Sequence, residues 1–311
     1  MQGDYRSFFR GTGLELSQLR EYQPGDDVRA IDWNVTARMQ VPYVRELIED
    51  REITAWFLLD MSPSMDYGAP GRTKRDLLAE VTAVFARLLT FHGNRIGAVL
   101  FSGREQRVIA PAGGRTSVVR LLAEIEAVPR HKRAPRTDLG TLIGASRHAL
   151  TRRSFVFLLS DFMTVEGWER PLSLLARRHE VLAVRLSDPS EETIPDVGPV
   201  VLADAETGEQ LFVDTHDRGF RARFAEAAAG RRARMEAALR RAGVEGLALT
   251  TESDIAREVV HLAARRKAQR SARAAAGGDA AARSGDAPAA ARGGQAPARA
   301  APSAVPGGAT P

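Results

Sequence analysis

Two long apolar runs dominate the hydrophobic pattern of the chain. Residues 53–60 and 154–160 are almost wholly apolar and are bounded by charged or turn-forming residues, which is typical of buried strands. The pattern predicts, in chain order, strand 53–60, helix 74–91, strands 95–101 and 105–110, helices 116–127 and 139–151, strand 154–160, helix 166–178 and strand 180–187. This alternation predicts an α/β fold, a doubly wound and mostly parallel sheet with helices on both faces.

The pattern changes at both ends of this region. Beyond residue 187 we predict a hairpin near 199–214 around Thr207-Gly208, a helix over 217–242, a short strand over 246–250 and a closing helix over 254–266. Upstream, Val41–Glu49 predicts an edge strand that leads into the first long strand. Alanine, glycine and proline dominate the end of the chain, which predicts a disordered tail. The predicted divisions are a signature segment (1–52) that packs on the core, a main domain (53–270) and the tail (271–311).

A short polar loop directly follows the first long strand. Asp60-Met61-Ser62-Pro63-Ser64 offers one carboxylate and two hydroxyls at alternating positions. Mg²⁺ prefers oxygen ligands, with few carboxylates and several retained waters. The spacing alone is weak evidence, since it should occur by chance in roughly one chain in ten to twenty. Its place at the end of a strand makes it a candidate metal loop.

Two further oxygen donors follow from the predicted topology. The second apolar run ends in Ser160 and is followed by Asp161, and Thr137 or Asp138 opens the helix predicted over 139–151. In the common doubly wound strand order 3-2-1-4-5-6, the first and fourth strands are neighbours at the topological switch point, where such sheets bind ligands. We therefore expect Asp60 and Asp161 to face one crevice, with Thr137 beside it.

These five positions together resemble the metal-ion-dependent adhesion site of von Willebrand factor A domains. In that family the two serines and the threonine coordinate Mg²⁺ or Mn²⁺, and the aspartates act directly or through water. The sixth position is left for an acidic residue of a partner. The resemblance implies these metal ligands here: Asp60, Ser62, Ser64, Thr137 and Asp161.

A longer motif resembles a bacterial family catalogued as domain of unknown function fifty-eight. It runs from Gly11 to Trp33, and Ser160-Asp161-Phe162 and residues 204–209 extend the similarity. The family is von Willebrand A-like and usually encoded beside MoxR-type AAA+ ATPases. The resemblance implies such an ATPase as partner, a client protein that supplies an acidic residue to the metal, and a task in client assembly or metal insertion. Members often carry membrane spans and a β-rich segment upstream, so we expect either a short soluble form or a start further upstream.

The N-terminal motif mixes opposite charges with aromatic residues. One interpretation is a structural network in which arginines clamp carboxylates while the aromatics pack onto the sheet, and the sequence favours it. The alternative is a docking surface for the ATPase. The candidate partner-binding residues are Arg20, Tyr22, Asp26, Asp27, Arg29, Asp32, Trp33 and Arg38.

Composition limits the remaining possibilities. At 311 residues and 44% hydrophobic content the chain can bury one large core, and the absence of cysteine excludes disulfides and thiolate sites. Its apolar runs are far shorter than the roughly twenty residues of a membrane span. The N-terminus has no signal-peptide pattern, so we expect a cytoplasmic protein.

Two other function classes stay open beside a non-enzymatic binding module. The net charge of +5 and the pI of about 10.0 suggest nucleic acid, but the densest arginine block, in helix 217–242, is typical of a solvated helix face. We expect no nucleic-acid partner. A metal-dependent phosphoryl or ester hydrolase would need an activated water near Asp60. Ser62 stands where a haloacid-dehalogenase-type phosphatase has its second acid, and no G-x-S-x-G elbow exists.

Overall fold

The structure is a computed structural model, and it describes residues 18–23, 26–46, 53–69, 71–103, 105–130 and 137–283. The chain divides into two compact units, Met1–Lys267 and Ala268–Pro311. Among the described residues, no helix is both long and apolar enough to cross a membrane.

The described strands and helices are numbered in chain order. The strands are β1 (Gln18–Glu21), β2 (Tyr43–Glu46), β3 (Thr54–Asp60), β4 (Gly68–Ala69), β5 (Arg72–Thr73), β6 (Arg95–Phe101), β7 (Gln106–Ala112), β8 (Phe155–Ser160), β9 (Glu180–Ser187), β10 (Pro199–Ala203), β11 (Gln210–Asp214) and β12 (Glu245–Thr250). The helices are α1 (Trp33–Met39), α2 (Lys74–Phe91), α3 (Gly114–Glu126), α4 (Leu139–Ala149), α5 (Glu169–Arg178), α6 (Arg218–Ala242) and α7 (Ile255–Arg283).

A six-stranded sheet with the order β12-β9-β8-β3-β6-β7 forms the centre of the first unit. Its strands are parallel except β7, which runs antiparallel to β6. If β3, β6, β7, β8, β9 and β12 are numbered 1 to 6 in chain order, the order read from the β7 edge is 3-2-1-4-5-6, as predicted. The doubly wound fold is confirmed, and β3 and β8 lie side by side, with Leu59 opposite Leu159.

Both faces of the sheet are buried at the central strands β3 and β8, which is why these two strands read as continuous apolar runs. On one face Phe57, Leu59 and Phe157 pack with α2, α3 and the start of α7, and the Phe57 and Phe157 rings stack at 4.9 Å. On the other face Trp56 and Leu58 pack with α4, α5 and the end of α6. Two apolar layers therefore fix the sheet whose edge carries the candidate site.

Local capping sets the start of the two helices nearest that edge. Thr73 and Asp76 form a capping box before α2, because each side chain accepts the backbone N–H of the other residue. Asp138 is the N-cap of α4 and accepts the N–H of Thr141. The first residues of these two helices, Lys74 and Leu139, are the predicted ones.

Two predicted elements differ from the structure. β2 pairs antiparallel with β1 in a separate two-stranded sheet, so Val41–Glu49 is not an edge strand of the central sheet; residues 47–49 lie outside the described residues. The closing helix α7 continues to Arg283, into the segment predicted as a tail, because alanine has the highest helix propensity. Residues 284–311 lie outside the described part, and the domain limits stay predictions.

Candidate metal centre

The five residues implied as metal ligands lie at or near one edge of the central sheet. Asp60 is the last residue of β3 and Asp161 follows β8, and the carboxyl ends of these parallel neighbours share that edge. Ser62 and Ser64 lie in the loop after β3, and Thr137 precedes α4. All five side chains are buried; Asp60, Ser62 and Thr137 are 0% exposed.

The loop after β3 holds its hydroxyls at a defined spacing. The Asp60 Oδ1 atom accepts the Ser62 N–H at 3.0 Å, and the Ser62 and Ser64 Oγ atoms are 3.0 Å apart. Neighbouring ligands of an octahedral Mg²⁺, each 2.0–2.1 Å from the ion, are about 3 Å apart. The two serine oxygens therefore have the separation of adjacent ligands on one ion.

Ser160 connects the two strand ends. Its hydroxyl donates to Asp60 Oδ2 at 2.6 Å, and its oxygen accepts the Phe162 N–H at 2.9 Å. Phe162 has a φ of 58°, in the left-handed region that residues other than glycine rarely adopt. Asp161 Oδ1 accepts the Met163 N–H at 2.9 Å, so the turn after β8 orients both aspartates.

A buried lysine also lies at this edge. The Lys74 Nζ atom is 2.7 Å from Asp161 Oδ2 and 2.5 Å from Glu191 Oε1, and the lysine is 0% exposed. Burial acts to lower the pKa of Lys74, but the carboxylates of Asp161 and Glu191 outweigh it and raise that pKa. The ammonium, at the first residue of α2, therefore neutralises part of the negative charge of the site.

Asp60 has no such cationic partner among its described hydrogen bonds. Its burial, and then the nearby charge of Asp161, raise the pKa of Asp60 to about 6, against the hydrogen bonds from Ser160 and Ser62. A buried carboxylate beside a second carboxylate is costly, and a divalent cation would relieve that cost.

Thr137 is held by a residue from the β10–β11 hairpin. Its backbone N–H donates to Glu206 Oε2 at 2.9 Å, and its hydroxyl donates to Glu206 Oε1. The Thr137 carbonyl accepts the Thr164 hydroxyl at 2.8 Å and the Val165 N–H at 3.0 Å. Glu206 is 9% exposed, and this burial raises its pKa.

These residues fit a hard divalent cation. No cluster of three or more histidine, cysteine, aspartate or glutamate side chains suited to a metal lies in the described part of the chain. The proposed ligand set combines two carboxylates with three hydroxyls. Mg²⁺ and Mn²⁺ accept that combination. Lys74 already engages one oxygen of Asp161, which favours contact of Asp161 through water. The ligand assignment stays a prediction.

Four residues of this edge had no role in the sequence prediction. Ser160 and Glu206 lie within motifs that carry the family resemblance, which was the available signal for them. Lysine is rare in this chain, which has Lys74, Lys132 and Lys267 beside many arginines. This rarity was the available signal for Lys74. Glu191 follows Pro189 in a short 3-10 helix and gave no signal.

The N-terminal segment contains one of the arginine–carboxylate clamps that the structural interpretation predicts. The Arg20 guanidinium contacts both oxygens of Asp26 at 2.6 and 2.7 Å, and its hydrogen bonds lower the pKa of Asp26 to about 2. Asp27 and Asp32 cap the helical turns that follow them. Trp33, however, is 70% exposed and does not pack on the sheet, because α1 has no buried residue.

The remaining candidates of this segment lie in the same small substructure. Tyr22 follows β1 and donates its N–H to the Pro42 carbonyl at 2.8 Å, while Arg29 lies in a 3-10 turn and Arg38 in the last turn of α1. These elements belong with the β1–β2 sheet and not with the central sheet that carries the metal loop. Their role as partner-binding residues stays a prediction.

Comparison with known proteins identifies the family. The family described as "Protein of unknown function DUF58" matches residues 18–234. An uncharacterized protein of Mycobacterium tuberculosis strain H37Rv is 39% identical over 269 residues, covering 86% of this chain and 84% of that protein. An uncharacterized protein of Mycobacterium avium is 40% identical over 154 residues, covering 50% of this chain and 90% of that protein.

Solved structures that resemble this chain do so at low identity. BatB from Bacteroides thetaiotaomicron has a TM-score of 0.43 and 12% identity, covering 69% of this chain and 98% of that chain. The SpRpn10 VWA domain has a TM-score of 0.39 and 12% identity, covering 67% of this chain and 94% of that chain. The predicted family is confirmed by the family match and the mycobacterial relatives: the chain belongs to the DUF58 family.

Proposed function

We propose that this protein is a non-enzymatic binding module that captures an acidic group of a partner protein through Mg²⁺ or Mn²⁺. The ligands are the five predicted residues: Asp60, Ser62, Ser64, Thr137 and Asp161. One observation carries the proposal. Asp60 is completely buried near Asp161, and the loop that it begins holds two hydroxyls 3.0 Å apart.

The surrounding residues orient the ligands. The Ser62 N–H and the Ser160 hydroxyl hold Asp60, and the Met163 N–H and the Lys74 ammonium hold Asp161. When bound, the cation supplies a position where a partner's aspartate or glutamate can coordinate. Serine hydroxyls bound to a metal are poor candidates for base-activated attack, which favours binding over turnover.

The partner is a MoxR-type AAA+ ATPase, and a client protein supplies the acidic residue. The support for this part is the family membership and its resemblance to ATPase-linked proteins. The exposed Trp33 indole adds an apolar contact that a docking surface would use. A cytoplasmic location belongs to the same proposal.

The metal site is tested first, by titrating Mn²⁺ into the wild type and Asp60→Asn. We expect the variant to lose at least about tenfold in Mn²⁺ affinity, since even outer-shell changes cost roughly 10–100-fold. Asp138→Asn is the matched control, because Asp138 caps α4 beside Thr137 without being a proposed ligand. Equal affinity of wild type and Asp60→Asn would contradict the proposal.

The partner is tested by affinity capture from the native lysate. Wild type and Asp60→Asn are each used with Mg²⁺ and with chelator, and we expect an AAA+ ATPase to be retained only by the wild type with Mg²⁺. Equal retention in all four samples would mean that the ATPase binds at a surface other than the metal site. Hydrolysis of a phosphate ester that Asp161→Ala abolishes would favour the hydrolase class instead.

A further inference from the structure

A carboxylate of the chain itself already lies at the candidate metal centre. Glu206 binds both the N–H and the hydroxyl of Thr137, a proposed ligand 69 residues away in sequence. The carboxylate is 9% exposed, and it feels the negative charge of Asp161. Glu206 is therefore a buried carboxylate in direct contact with Thr137, one of the proposed ligands.

The turn between β10 and β11 is shaped to present this residue. Asp204 Oδ1 accepts the N–H groups of Glu206 and Thr207, both at 2.8 Å. The Gly208 N–H donates to the Asp204 carbonyl at 2.9 Å, and Gly208 has the positive φ of 74° that suits glycine. The backbone of the turn is thus held by its own residues, and Glu206 is directed inward.

Charge balance favours a role toward a cation. Burying a carboxylate costs free energy unless a positive group compensates it, and Glu206 forms no ion pair with another described residue. Lys74, the buried ammonium at this edge, is in contact with Asp161 and Glu191. The hydrogen bonds from Thr137 satisfy Glu206, but they bring no positive charge.

We propose that Glu206 is an internal acidic ligand of the metal site, which takes the coordination position that a partner's carboxylate would otherwise fill. This inference rests on the proposed function. Its consequence is competition: a partner's acidic residue must displace Glu206 before it reaches the ion.

The hairpin that carries Glu206 is suited to such a displacement. β10 and β11 pair with each other in a separate two-stranded sheet. Val201, Leu211 and Phe212 are 56%, 60% and 72% exposed, while Val213 is buried. Because few of its side chains are buried, the hairpin can move without opening the central sheet.

The test uses Mn²⁺ as the probe and the relaxation of water protons as the readout. Loss of the Glu206 ligand should weaken Mn²⁺ binding roughly tenfold, and a water should replace the carboxylate. We therefore expect the water-proton relaxivity per bound Mn²⁺ to be higher in Glu206→Ala than in the wild type. Titrated acetate should lower the relaxivity of the variant and leave the wild type unchanged.

Two further variants keep the test decisive. Glu209→Ala removes an exposed glutamate from the same turn and should behave as the wild type. Glu206→Gln preserves the size of the side chain, so it replaces Glu206→Ala if circular dichroism shows that the alanine variant is unfolded. With glutamine we expect weaker Mn²⁺ binding and an acetate response.

The outcomes separate the two proposals. Mn²⁺ bound through Asp60 with the same relaxivity in wild type and Glu206→Ala, and no acetate response in either, would overturn the role of Glu206 and leave the metal site standing. Binding of Mn²⁺ by Glu206→Ala but not by wild type would also overturn it, because the glutamate would then exclude the ion. No binding in any variant would overturn both proposals.

Discussion

The sheet edge and the N-terminal segment both contain an ion pair between a basic side chain and an aspartate, but the first pair is buried and the second is partly exposed. At the sheet edge the Lys74–Asp161 pair has side chains 0% and 1% exposed, whereas in the N-terminal segment the Arg20–Asp26 pair has side chains 39% and 21% exposed. Exposed pairs contribute little to stability, while a buried pair is strongly destabilising when one partner is lost. The buried charges thus carry a large energetic cost that a binding site would justify, and the exposed segment offers contacts at little cost.

Lys74→Met gives the largest effect that this comparison predicts. Removal of the ammonium leaves the buried Asp161 and the partly buried Glu191 without their cation, and we expect a loss of about 3–5 kcal/mol in the free energy of unfolding. Urea unfolding in chelator measures it, with the exposed Lys267→Met as control, expected within about 0.5 kcal/mol of wild type. A loss below about 1 kcal/mol for Lys74→Met would remove the contrast between the two regions.

Ser160→Ala tests the hydroxyl that connects the strand ends. The variant loses the hydrogen bond to Asp60 and leaves the Phe162 N–H without its acceptor, so we expect a loss of about 1–3 kcal/mol by urea unfolding. Ser173→Ala is the control, since among the described residues that hydroxyl donates to the Glu169 carbonyl alone, one helical turn away. If both variants lose the same free energy of unfolding, the buried position of Ser160 does not make its hydrogen bonds more important for stability.

Asp60→Asn should change stability in the opposite direction: in the absence of metal, this substitution should stabilise the fold. The folded-state pKa of about 6 lies above the ordinary 3.8, so the ionised carboxylate destabilises the fold at neutral pH. In chelator we expect the amide to raise the free energy of unfolding by about 1–2 kcal/mol. Added Mg²⁺ should stabilise the wild type but not Asp60→Asn. Thermal unfolding with and without Mg²⁺ measures both, and a destabilised variant in chelator would contradict the argument.

Trp33→Ala should have the smallest effect on stability and a visible effect on binding. Because the indole is 70% exposed, we expect a change of no more than about 0.5 kcal/mol in the free energy of unfolding. Capture of the AAA+ ATPase should fall if the segment is the docking surface. Met39→Ala, on the same helix and 57% exposed, controls for loss of exposed apolar area. Normal capture by Trp33→Ala would return the segment to a structural role.

Local patterns were enough to predict most elements. The apolar run of β3 and the capping box before α2 define their own ends, so strand 53–60 and helix 74–91 could be located without knowledge of the fold. The neighbouring positions of Asp60 and Asp161 followed from one topological rule applied to the order of elements. The partner of β2 could not be predicted, because nothing in Tyr43–Glu46 specifies β1.

Contacts between distant segments account for what the sequence did not reveal at the site. Lys74 meets Glu191 across 117 residues, and Thr137 meets Glu206 across 69. Neither glutamate occupies a position in a periodic pattern that would mark it as buried. A charged residue in a turn is usually solvated, and only the folded chain shows these two to be enclosed.

The left-handed backbone at Phe162 limits how this edge can be re-engineered. That conformation costs roughly 1–2 kcal/mol for a residue with a side chain, and the Phe162 ring packs edge-on against Trp168 at 5.5 Å. A glycine would relax the backbone and lose the ring, whereas a valine or isoleucine would increase the strain. A designer who transplants this site to another scaffold must therefore carry Trp168 with it.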